Sequence, residues 1–195
     1  MARRIASLGL AASLAAAVPA AADVLTGGRY APSTHEFSIA MSAADQKFHL
    51  DHERTSDQYL LVDFLFTPGA SIHGMFAQRA IEWIRFGKPI DATPFDAAAT
   101  DIVTSFLQGR FPNGNFAIGN RFKARMDSGQ AYYVFDAKGT ANDVPAKWRG
   151  VVLFFPGGIA LVSQVRTDTG EALLTDSGIT DDEFVRWATT IRPEP

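Results

Sequence analysis

Apolar and polar residues alternate through Phe37-Ser38-Ile39-Ala40-Met41, the two-residue period of a half-buried strand. Lys47 to Arg54 predicts the next strand, with Phe48 and Leu50 on one face. Tyr59 to Phe66 is a denser run of strand formers that stops at Pro68-Gly69. Two periods compete between Ser71 and Phe86. Ile72, Met75, Phe76, Ala80, Trp83 and Ile84 suit a helix, whereas Ala80 to Phe86 also suits a strand, and the strand is favoured for that second half. From Thr93 to Leu107 the period is helical: Thr93 can cap, Pro94 suits the first turn and Gly109 can end the helix. Its apolar stripe is Phe95, Ala98, Ala99, Ile102, Val103, Phe106 and Leu107.

Two hairpins follow. Arg121 to Met126 and Gln130 to Asp136 flank Asp127-Ser128-Gly129, and Trp148 to Phe155 and Ile159 to Arg166 flank Pro156-Gly157-Gly158. Asp136-Ala137-Lys138-Gly139 reads as a further turn. A short helix closes the pattern: Thr180-Asp181-Asp182-Glu183 is a capping box, and Ile179 can staple onto Phe184. Phe184, Trp187, Ala188 and Ile191 form its apolar stripe, and Pro193 ends it. This order implies an α+β fold, an antiparallel β-sheet with flanking helices.

Several segments carry a family likeness: Phe37 to Met41 after Gly28-Arg29-Tyr30, the Thr93 to Leu107 helix, Gly129-Gln130-Ala131-Tyr132-Tyr133-Val134-Phe135, Gly157 to Val162, and Phe184 to Ile191. Their order resembles the PsbP/Mog1-like fold family. The resemblance implies an α/β/α sandwich and a non-enzymatic assembly, accessory or binding role, as in exported members. Fold-level likeness transfers function poorly.

The amino terminus changes where the protein is expected to work. Arg3 and Arg4 precede an apolar stretch from Ile5 to Val18, Pro19 follows, and Ala20-Ala21-Ala22 supplies small residues for cleavage. This is the pattern of a signal peptide over residues 1–22, leaving a single domain over 23–195 in the periplasm or outside the cell. The apolar stretch is short of the ~20 residues a membrane span needs, and no later stretch reaches that length. Two of the 18 basic residues and none of the 21 acidic ones lie in the leader, so the remainder carries 16 basic against 21 acidic residues. That balance gives no footprint for nucleic acid. The chain has no cysteine, which removes disulfides, a thiolate nucleophile and a cysteine-based zinc site.

Candidate chemistry is sparse. His49-Leu50-Asp51-His52-Glu53 is the densest polar cluster. Strand alternation would put His49, Asp51 and Glu53 on one side and Leu50 and His52 on the other. His49, Asp51 and His52 are the candidate metal ligands, with His35 or His73 completing a set if the fold brings them near. A solvated strand face explains the same residues more simply. Asp127-Ser128-Gly129, Asp168-Thr169-Gly170 and Asp176-Ser177-Gly178 share the tripeptide of aspartic proteases, but their flanks lack the apolar strands that bury such a dyad, and turn chemistry explains them better. No Gly-x-Ser-x-Gly elbow or phosphate-binding glycine loop is present.

Arg121, Lys123 and Arg125 share one face of a strand, a candidate surface for an acidic partner, although such stripes are more often the wet face of a sheet. Phe64, Phe66, Trp83, Phe95, Phe106, Tyr133, Phe135, Phe154 and Phe155 would either fill a core or line a cavity for a small apolar ligand. The expectation is an exported, non-enzymatic accessory or binding protein acting through a surface in the cell envelope. Its partner would be an envelope protein or a small ligand, with no cofactor. A carrier with an aromatic-lined cavity and a metal-dependent enzyme are the alternatives.

Overall fold

The computed structural model describes residues 28–66, 77–86 and 96–194. Residues 1–22, expected to be a signal peptide, together with His73, the expected cap Thr93-Pro94, Phe95 and the first half of the Ser71 to Phe86 segment, lie outside these residues. Among the described residues, ten strands and three helices follow one another: β1 Arg29–Tyr30, β2 Phe37–Ala40, a 3₁₀ turn at Asp45–Lys47, β3 Phe48–Thr55, β4 Tyr59–Phe66, β5 Ala77–Arg85, α1 Asp96–Arg110, β6 Ala117–Arg125, β7 Ala131–Ala141, β8 Val144–Phe155, β9 Gly158–Thr167, α2 Asp168–Asp176, α3 Asp181–Ala188 and β10 Arg192–Pro193. The fold is α+β, with antiparallel sheets and packed helices.

The large sheet has the order β3-β4-β5-β9-β8-β7-β6. Two meanders, β3 to β5 and β6 to β9, meet where β5 pairs with β9, and α1 carries the chain from one meander to the far edge of the other. Strand β9 is buried along its whole length, the apolar Ile159 to Val162 and the polar Ser163, Gln164, Arg166 and Thr167 alike. A small sheet, β1-β2-β10, joins the two ends of the described chain, with Arg192 opposite Ser38.

Each face of the large sheet has its own core. On one, Ala99, Val103, Phe106 and Leu107 of α1 pack on Tyr133, Phe135, Trp148, Val152, Phe154 and Leu161. On the other, Val62, Phe64, Ile81, Trp83, Val151 and Val162 meet Phe37 and Ile39 of the small sheet and Leu174, Phe184 and Trp187 of α2 and α3. The aromatic rings pack against one another: Phe37 on Trp83 at 5.7 Å, Trp83 on Phe155 at 5.4 Å, Phe106 against Trp148 at 6.1 Å and Tyr133 against Phe154 at 6.1 Å. These contacts run through the layers on both sides of the sheet.

Four expectations change. The helix after Ile159 to Arg166 is not one but two: Asp168-Thr169-Gly170 opens α2, where the Thr167 hydroxyl accepts from Gly170 N at 3.2 Å. Asp136 to Gly139 is not a turn but the middle of β7, and the turn falls at Asn142-Asp143, both with positive φ. That pair supplies the positive φ at both central residues that a type I′ two-residue hairpin requires. Strand β5 begins at Ala77, ahead of the expected Ala80. Finally, β3 carries a bulge between Leu50 and His52. Leu50 stands opposite Phe64 and His52 opposite Asp63, so Asp51 is the extra residue and the alternation shifts by one. His49 and His52 therefore share the α1 face, and Glu53 lies on the opposite face, where it accepts from the Tyr30 hydroxyl at 3.2 Å and from Ser33.

Candidate functional site

Beside α1, one face of β4 and β5 makes the floor of a groove among the described residues. Leu61 and Glu82 are cross-strand neighbours, as are Tyr59 and Ile84, so all four side chains point to the same side. One flank of α1 forms the wall, with Ile102 and Phe106 low and Asp101, Ser105 and Gly109 higher. Arg54 of β3 stands at the rim, opposite Leu61, and Arg110 closes the end. The volume is about 610 Å³, within the usual range of small-molecule sites, roughly 300–1,000 Å³. Gly109 keeps the wall open: a Cβ built there meets nothing within 4 Å. Burial in this apolar setting pushes the Glu82 carboxyl above the ordinary carboxylate range, and the Arg110 charge opposes that rise only in part.

Behind the groove lies a charge network. Asp63 is wholly buried; its Oδ1 accepts from Gln78 Nε2 at 3.0 Å and from an Arg110 guanidinium nitrogen at 2.7 Å. His52 sits between two carboxylates. Its Nδ1 is 2.7 Å from Asp51 Oδ2, and its Nε2 is 2.8 Å from Asp63 Oδ2, an ion-pair approach off the hydrogen-bonding axis. With both ring nitrogens facing carboxylates, His52 offers no outward lone pair to a metal or a substrate proton. Arg110 belongs to this network and to the groove, so it ties the two together.

Of the candidate metal ligands, the fold brings Asp51 and His52 together and adds Asp63. His49 is exposed, opposite Leu65, and His35 lies on the exposed loop between β1 and β2. Among the described residues no group of three His, Asp or Glu side chains is placed to hold a metal ion. The three Asp-Ser/Thr-Gly tripeptides fall at separate junctions: the β6–β7 turn, the start of α2 and its end.

Arg121, Lys123 and Arg125 do share a face of the edge strand β6, and all three are exposed. Each is also tied to the fold. Arg121 donates to the Thr100 hydroxyl at 2.7 Å, Lys123 sits 5.1 Å from the Tyr133 ring centre, and Arg125 donates to the Gly129 carbonyl at 2.7 Å.

The residues that sequence reasoning missed are Asp63, Glu82 and Arg110. Asp63 is the one charge in the Tyr59 to Phe66 run of strand formers, and Glu82 interrupts the apolar Ala80 to Ile84 between Arg79 and Arg85, each the visible sign of a buried polar group that must find a partner or a task.

No protein-family model and no curated protein matches the chain. Among solved structures, it is similar to PA94 from Pseudomonas aeruginosa, a protein of unknown function suggested to be a regulator. That likeness has 15% identity and a TM-score of 0.45, and it covers 86% of this chain and 96% of the other. It is also similar to cyanobacterial PsbP (CyanoP) from Synechocystis sp. PCC 6803, with 14% identity and a TM-score of 0.45, over 85% of this chain and 91% of the other. The second neighbour is of the family the sequence resembles. At these values the likeness says nothing of activity. Among the described residues no helix is long and apolar enough to cross a membrane.

Proposed function

We propose that this chain is an exported, non-enzymatic binding protein of the cell envelope, and that the groove beside α1 is its ligand site. One observation carries the reading: an open concavity of about 610 Å³ with an apolar floor and a half-buried acid, set on a rigid sheet. The leader pattern of residues 1–22 supports export. The orientation of His52 supports binding over catalysis, because both of its ring nitrogens are turned to carboxylates. The packed aromatic layers favour this surface groove over an enclosed carrier cavity.

Native mass spectrometry of the protein purified from its own exported fraction tests the reading, with Gly109→Leu alongside. A stoichiometric added mass that Gly109→Leu loses is the expected result. An added mass retained in that variant places the ligand elsewhere, for instance on the Arg121, Lys123 and Arg125 edge, and overturns the groove as the site. An unliganded mass in both, with no partner crosslinked through a probe at Ser105, overturns the binding role of the groove.

A further inference from the structure

The groove holds one acid that the fold leaves unanswered. Glu82 stands on β5 between Leu61 of β4 and Leu161 of β9, with its carboxylate in the groove. Among the described residues no hydrogen bond or ion pair reaches it. Its one opposing charge is Arg110, and that guanidinium is already engaged 2.7 Å from Asp63 Oδ1. A carboxylate half out of water and without a partner is unfavourable unless something supplies a counter-charge.

We propose that the groove binds an ammonium group carried on an apolar body, with Glu82 receiving the ammonium and Leu61, Ile84, Ile102 and Phe106 holding the body. This rests on the groove being the ligand site. The sign follows from the charges present. The two basic groups at the site are Arg110, which Asp63 occupies, and Arg54, which stands at the rim in water. The unmet charge at the floor is therefore negative, so the floor favours a cation. A divalent metal ion needs several oxygen ligands at once, and apolar side chains flank Glu82. A single ammonium needs one carboxylate and a dry wall beside it, which is what the floor offers. Burial already drives Glu82 toward its neutral form, and a bound cation would restore the ionised one.

The test compares n-octylammonium with n-octanol by calorimetry and by the methyl NMR signals of Ile84 and Ile102. The protein, Glu82→Gln and Gly109→Leu are each titrated. The expected result is that octylammonium binds about tenfold more tightly than octanol, the usual size of a charge-assisted bond. Glu82→Gln levels the two, and Gly109→Leu, which points into open space and leaves the fold intact by circular dichroism, weakens both. Equal affinities in the unaltered protein, or a preference that survives Glu82→Gln, overturn the ammonium assignment while the groove stands as a site. Failure of both probes to move the Ile84 and Ile102 signals overturns the assignment and the groove together.

Discussion

Asp63 gathers three polar side chains around one buried carboxylate. It receives Gln78 and Arg110 and faces His52, all from a position with no exposure to solvent. Asp63→Ala would leave the Arg110 guanidinium and the Gln78 amide without their acceptor. The expected loss is about 3 kcal/mol in chemical denaturation, as for other broken buried pairs, and Asp63→Asn should lose less because it keeps one acceptor. Glu82 should behave oppositely. Its folded pKa lies above its ordinary 4.5, so the folded state holds more protons across the window between the two values and stability falls as pH rises through it. Glu82→Gln should then be more stable than the parent near neutral pH, and the two should converge below about pH 4. Equal stability at both pH values would remove the basis for a strained acid. Both residues were visible in the sequence as acids set between apolar strand formers. What was not visible was where they point, because that depends on register, and the Asp51 bulge that sets the register of β3 arises only when β4 pairs with it.

Helix ends and glycines decide much at the level of elements. Local chemistry made α3 readable: the Thr180 side chain accepts from Glu183 N at 3.2 Å, and Ile179 and Phe184 are both buried in the same core. Thr180→Ala should lower stability by about 1 kcal/mol, measured by urea unfolding. Helix α2 escaped notice because Asp-Thr-Gly carries turn chemistry as well as a good first turn, and only the packing of Leu174 against the core separates the two. In β8, Gly150 lies under the Trp148 ring: a Cβ there would come within 2.1 Å of it. Trp148 is buried and cannot swing away. Gly150→Ala should therefore destabilise by about 1–3 kcal/mol, the usual result of overpacking, although alanine suits strands no worse than glycine.

At the scale of the whole molecule, the layered α+β plan was legible because each layer writes its own period: two for the strands, 3.6 for α1 and α3. The groove was not, since it lies where α1 stands beside one sheet face, and that depends on helix placement across strands distant in sequence. The edge strand β6 illustrates a related point. Its Arg121, Lys123 and Arg125 stripe lies at an open sheet edge, and Phe122 on its other face is 47% exposed. Such charges discourage strand addition. Replacing all three with threonine should raise self-association, seen as a shift to larger species in size-exclusion chromatography, with little change in unfolding midpoint. A loss of stability without association would assign them to the fold instead.

The pairings that close the molecule also impose an order in time. Strand β5 cannot complete its hydrogen bonding until β9 arrives, and Arg79 of β5 finds Gln164 85 residues further along. Strand β2, near the start of the described chain, waits longer still, for Arg192 and Pro193. A chain that emerges from a narrow opening, amino end first, would keep its early strands unsatisfied until nearly everything has passed through. It would finish folding only on the far side.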